Sequence, residues 1–175
     1  MKRRYLMLLA FTSFSYISHA QSSANDFYML GKNRELLKDY KKAIKDYDKA
    51  IALEPKFEDA YYAKALAENL LKKYDDAITD LTILIGINPE SSKAYYSRAL
   101  IKNAIKDYNG SLEDYTKCIE INPTYSSAYN NRAEVKLSLK QTESACDDLE
   151  KAGSMGYPYP FGYIEKKCLQ AHKSS

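Results

Sequence analysis

Three cysteines, two histidines and several adjacent carboxylates are the residues of this chain able to act as nucleophiles, proton carriers or metal ligands. Their spacing argues against each role. Cys118, Cys146 and Cys168 are too far apart for a Cys-x-x-Cys redox or zinc pair, and neither a His-Glu-x-x-His pair nor a glycine-rich phosphate loop occurs. His19 falls in a leader segment, and His172 stands alone near the C-terminus, without a Ser or Cys nucleophile spaced to form a dyad. The pairs Asp75-Asp76, Glu113-Asp114 and Asp147-Asp148 are neighbours along the chain. They read as residues at helix starts, where negative charge favours the dipole, not as carboxylates facing each other across a cleft. The expectation is a non-enzymatic chain with no cofactor and no metal.

The elements that position these residues begin after a leader. Lys2, Arg3 and Arg4 precede a short, mostly apolar run from Tyr5 to Ile17, and Ser18-His19-Ala20 places small side chains at the two positions a signal peptidase reads. The run is too short and too rich in Ser and Thr to span a bilayer. Residues 1–20 are therefore expected to be a cleaved signal peptide, leaving Gln21 first, with no lipoprotein cysteine and no stable membrane insertion afterwards. The implied destination is the periplasm or the medium of a bacterium. The whole chain carries 26 Lys and Arg against 23 Asp and Glu, and all three basic residues of the leader leave with it, so the mature chain is neutral. Neutrality removes the electrostatic attraction that supplies most non-specific nucleic-acid affinity, and no nucleic-acid partner is expected.

The mature chain repeats itself every 34 residues: Pro55, Pro89 and Pro123 keep this step, as do Tyr40, Tyr74 and Tyr108. So do the small residues Ala43, Ala77, Ser111 and Ala145, and the large aromatics Phe27, Tyr61, Tyr95 and Tyr129. Within each period the apolar residues fall at helical spacing, and a short polar break divides the unit into two helices. Asn88-Pro89 and Asn122-Pro123 stop the second helix, because proline lacks an amide hydrogen and disfavours helical geometry before it. Ser91-Ser92 and Ser126-Ser127 are expected to cap the next first helix.

These residues resemble the tetratricopeptide repeat, whose pattern runs aromatic, Leu-Gly, Ala, aromatic and Pro. Residues 24–57 follow it as Phe27, Leu30-Gly31, Ala43, Tyr47, Ala50 and Pro55. Residues 58–91 carry Tyr61, Ala65, Ala77, Leu81, Leu84 and Pro89, and residues 92–125 carry Tyr95, Ala99, Ser111, Tyr115, Cys118 and Pro123. Residues 126–159 form a degenerate fourth unit that keeps Tyr129, Ala133, Ala145, Leu149 and Ala152, with Gly153 and Gly156 expected to interrupt its second helix. The aromatic usual late in the first helix is replaced by Arg34, Glu68, Lys102 and Lys136. The resemblance implies an all-α, right-handed solenoid of about four helix-turn-helix repeats. An exposed solenoid end needs a cap, and residues 160–171 supply one through Phe161, Ile164, Cys168 and Leu169.

An oxidising destination favours a disulfide and leaves one thiol over. Cys118 takes the small buried position that Ala50, Leu84 and Ala152 take in the other units, which suits a packed thiol. Cys146 near the start of the last repeat helix and Cys168 near the end of the cap lie side by side if those helices are antiparallel, so this is the expected bridge.

In proteins similar to this one the first helices line the concave face, where a solenoid usually binds. The residue after each core aromatic is then Tyr28, Tyr62, Tyr96 and Asn130, followed by Lys32, Leu66, Leu100 and Glu134 one turn on and by Glu35, Asn69, Asn103 and Leu137 beyond. An aromatic, amide-rich groove of this kind, with Lys93 adding a positive spot, suits an extended peptide. A carboxylate clamp known in the family wants Lys and Asn where this chain has Tyr28 and Lys32, so that mode is not implied. The leading expectation is a scaffold for a protein or peptide partner. Self-association in an envelope assembly and glycan binding are the alternatives, the tyrosines being equally suited to packing against one another.

Overall fold

The computed structural model describes residues 22–159 and 162–173, so the signal-peptide reading of residues 1–20 and the cap residue Phe161 lie outside the described residues. Among those described there are nine helices and no strand. They run α1 Ala24–Leu36, α2 Tyr40–Leu53, α3 Glu58–Leu70, α4 Tyr74–Ile87, α5 Ser92–Ala104, α6 Tyr108–Ile121, α7 Ser126–Ser138, α8 Thr142–Ser154 and α9 Tyr163–Lys173. None is long and apolar enough to cross a membrane.

Each odd helix packs on the even helix that follows it, and each even helix packs on the next odd one, through α8 on α9. Neighbouring first helices also touch: α1 on α3, α3 on α5 and α5 on α7. A layer in which successive units meet directly has the shorter arc, so the first helices form the inner face. Close approach depends on the small residues at the 34-residue step: Ala43, Ala77, Ser111 and Ala145 are fully buried, and the Ser111 hydroxyl donates to the Ala99 carbonyl at 2.9 Å. Tyr47, Leu81, Tyr115 and Leu149 fill the hairpins, also fully buried. At Gly31 even a Cβ would run into the Tyr47 ring, which is why the first hairpin needs glycine there.

The turns inside the hairpins carry a periodic signal of their own. Lys38, Lys72, Lys106 and Lys140, again 34 residues apart, all adopt left-handed backbone with φ between 57° and 65°. The amide after each reaches back to the carbonyl of Arg34, Glu68, Lys102 or Lys136, closing the wide turn that ends a helix. Lysine here accepts a cost glycine would avoid, of order 1 kcal/mol, in exchange for a charged, soluble turn.

Capping differs from the sequence reading. Ser23 forms a reciprocal capping box with Asp26, and Asp39 and Asp107 cap α2 and α6. Ser91, by contrast, makes no side-chain cap, and Ser126 is already the first residue of α7 behind Tyr125. The turns Asn88–Ser91 and Asn122–Tyr125 close through backbone bonds, which satisfy the entry without a hydroxyl. Gly153 lies inside α8 and does not interrupt it; the break comes at Gly156, where φ is +81°. A Cβ at Gly153 would sit 3.1 Å from Ile164 Cδ1, so this glycine lets α9 come close.

The expected disulfide joins Cys146 of α8 to Cys168 of α9, with Cα atoms 5.8 Å apart, while Cys118 is a buried free thiol whose ionisation burial pushes up to about 11. In α9, Tyr163, Ile164 and Cys168 pack on Ala133, Ala145 and Leu149. Leu169 does not join this stripe and is 54% exposed. The bridge seats Cys168 against α8, and the next residue is turned away by a helical step of about 100°.

Candidate functional site

The residues expected in the groove lie on the first helices, and several of them reach the neighbouring unit. The Tyr62 hydroxyl is 3.1 Å from Ser97 Oγ, and Asn131 donates to the Tyr96 hydroxyl at 2.9 Å, so each tyrosine spans to the next first helix. Tyr28 packs on Phe57 with ring centroids 5.2 Å apart, and Tyr96 stacks on Tyr125 at 4.7 Å. Lys93 lies 4.9 Å above the Tyr62 ring with Asp59 3.1 Å from its Nζ, so its charge is already shared. The tyrosine row thus holds the units together and shows only part of each ring to solvent. Asn130 is buried and accepts a 2.8 Å bond from the Tyr159 hydroxyl, while Glu134 is engaged by Tyr163 and Lys167. The cap therefore covers the inner face of the fourth unit. Further along the row Leu66, Asn69 and Asn103 are half-buried and Leu100 is exposed, and neither asparagine side chain bonds another described residue.

Behind this face runs a second ladder. Asp46, Asp80, Asp114 and Asp148 repeat at 34 residues, each beside the large core residue of its second helix, and all are buried. In the third unit Arg98 grips Asp114 with two bonds of 2.9 and 2.6 Å while Lys102 approaches to 2.9 Å. Arg132 and Lys136 repeat this on Asp148 at 2.8, 2.7 and 2.7 Å, and Arg34 pairs with Asp46 in the first unit. Arg98 also reaches Thr82 and Arg132 reaches Thr116, both on the preceding hairpin. Bidentate charge-assisted bonds fix direction as well as energy, so each aspartate clamps the two helices of its own hairpin and aims the guanidinium, whose remaining nitrogen reaches the hairpin before. Glu113-Asp114 and Asp147-Asp148 are accordingly not helix-start pairs: Asp114 and Asp148 sit mid-helix in ion clusters, and only Asp75-Asp76 lies in a first turn. Among the described residues no cluster of His, Cys, Asp or Glu is arranged to hold a metal.

Tetratricopeptide repeat family models match residues 24–57, 59–91, 92–125 and 114–147. The chain belongs to the tetratricopeptide repeat family. No match was found among curated protein sequences. Among solved structures, a crystal structure of MamA aligns at TM-score 0.73 and 23% identity over 75% of this chain and 77% of that one. A second MamA structure aligns at 0.78 and 19%, over 86% and 81%. The first tetratricopeptide domain of Spaghetti (RPAP3), bound to the HSP90 peptide SRMEEVD, aligns at 0.65 and 24%, over 67% and 93%. At these identities the likeness is one of fold, a right-handed α-solenoid.

One tetratricopeptide unit of this array breaks its own ladder. Where units one, three and four place Arg34, Lys102 and Lys136, the second has Glu68, buried beside Asp80 with Lys64 as the shared cation. Lys64 is held 3.1 Å from Asp80 and 2.9 Å from Asp48, and a Glu68 oxygen is left without a hydrogen-bond partner. Burial first, and then the charge of Asp80, push the Glu68 carboxyl up to about 8. Unfolded Glu68 ionises near its ordinary 4.5, so between that pH and about 8 the folded chain holds one proton more than the unfolded. Stability therefore falls as pH rises through this window and levels off above it. Glu68→Gln should abolish that fall, giving a higher urea midpoint than the parent at pH 9 and a similar one at pH 4; equal slopes for the two proteins would contradict the assignment. The residues that replace the usual aromatic, Arg34, Glu68, Lys102 and Lys136, thus face the buried aspartates. The 34-residue step of the aspartates was the signal that could have revealed this.

Proposed function

We propose that this chain is a non-enzymatic scaffold that binds an extended segment of a partner protein along the face of its first helices. The observation that carries the reading is the strip formed by Leu66, Leu100, Asn69 and Asn103 beside Tyr62 and Tyr96: apolar area next to amides that bond no other described residue. Apolar side chains supply the area such a peptide buries, and amides pair with its backbone. The peptide-bound Spaghetti domain supports the reading, since the same fold type accepts a peptide there. A terminal carboxylate is not the proposed anchor, because Tyr28 is packed on Phe57 and Lys32 is paired with Glu35. Asn130 and Lys93 contribute less than their positions suggest, one being covered by Tyr159 and the other committed to Asp59 and Tyr62.

The proposed place of action is outside the cytoplasm, reached by the leader in residues 1–20. The Cys146–Cys168 bridge supports this, because disulfides persist in oxidising compartments. Leu66→Ala combined with Leu100→Ala should leave the circular dichroism spectrum unchanged and weaken partner capture from envelope extract at least about tenfold, the value of roughly 1.4 kcal/mol of buried apolar area. Capture equal to the parent by a folded double variant would remove the inner face from consideration.

A further inference from the structure

The N-terminal end of the array is built unlike its internal joints. In units two to four, one side of each first helix meets the preceding hairpin: Ala63 packs against Tyr47, Lys64 pairs with Asp48, Ser97 meets Tyr62 and Arg98 meets Thr82. Asn131 and Arg132 do the same with Tyr96 and Thr116. The residues at these two registers are thus small or polar, followed by a cation. In α1 they are Met29 and Leu30. No described hairpin precedes α1, and a free solenoid end calls for polar residues; this chain instead places larger apolar ones there. Met29 is 49% exposed, Leu30 40% and Leu37 80%. Phe27, earlier on the same helix, lines a cleft of about 370 Å³ with Ala52, Leu53, Lys49 and Ser22.

We propose that this end face is a two-fold interface with a second copy of the chain, α1 packing antiparallel on the second copy's α1. Phe27, Leu30, Arg34 and Leu37 recur at helical spacing along one side. The guanidinium in that row is neutralised within its own chain by Asp46, so it brings no net repulsion to the contact. A two-fold axis crossing the contact at the height of residue 32 along α1 sets Phe27 and its cleft against Leu37 of the second copy, and Asp26 against Lys38 of the second copy, each contact occurring twice. The patch is therefore complementary to itself in shape and in sign, as a closed two-fold contact requires. Lys32 lies on the opposite side of α1, paired with Glu35, and stays out of the contact. This interface is independent of the inner face and leaves it free.

The test is sedimentation equilibrium across the micromolar range, on protein purified after expression of all 175 residues. The parent should sediment as a dimer. Leu30→Lys installs the residue that Lys64 already holds at this register, so the variant folds, and burying one cation from each copy should weaken the dimer about a hundredfold. Asp26→Lys should also weaken it, and adding Lys38→Asp to that variant should restore it, which a merely structural effect would not do. A parent that remains monomeric overturns the proposal. So does a dimer indifferent to Leu30→Lys, which would sit on another face.

Discussion

Asp114→Ala is expected to destabilise the protein by about 3 kcal/mol, the lower part of the range for breaking a buried ion cluster from one side. The reason lies in what remains. Arg98 and Lys102 are left with one another in the interior, only 14% and 17% exposed, with no other described carboxylate within bridging distance. Like charges then face each other in a low dielectric where Asp114 held them at 2.6 to 2.9 Å. Some of the cost is relieved because both side chains are long enough to lean toward water. Urea unfolding at neutral pH measures the loss. Glu120→Ala is the matched control: its partner Lys117 is also a lysine, but the pair is about half exposed, and the midpoint should not move. If Asp114→Ala proves as mild as Glu120→Ala, the ladder does not hold the hairpins together.

Opening the Cys146–Cys168 bridge is expected to cost about 3 kcal/mol by the chain-entropy account for a loop of this size. The loss should fall on one part of the molecule. The cap docks through Tyr159, Tyr163, Ile164 and Cys168 against the fourth hairpin, a smaller contact than any between the hairpins themselves. Hydrogen exchange in Cys146→Ser/Cys168→Ser should therefore speed up in α9 while α3 to α6 stay protected, because a solenoid's units unfold semi-independently. Uniform acceleration along the chain would mean that the cap is not a separate unit. Release of α9 would also free Asn130 and Glu134, which Tyr159 and Tyr163 now occupy. Leucine at position 169, already mostly exposed, should make no difference.

The 34-residue step by itself determined the architecture. A period of that length, with helical spacing inside it and proline at its end, admits little except stacked helical hairpins, since each hairpin can bury its apolar side only against the next. The expected groove residues came from that register joined to the family resemblance, which puts first helices on the concave face. The bridge was also legible, two cysteines having antiparallel helices to place them side by side. Tertiary structure alone decided which charges meet. Arg98 and Asp114 belong to different helices of one hairpin, and Arg98 and Thr82 to different hairpins, so no local pattern pairs them. Along the chain alone, Glu113-Asp114 and Asp147-Asp148 are indistinguishable from helix-start acids. Tertiary structure likewise decided that the tyrosines join neighbouring units and that the cap takes up the fourth unit's inner face. Aromatic residues at a helical step announce that they will be partly buried; only the neighbouring helix tells what buries them.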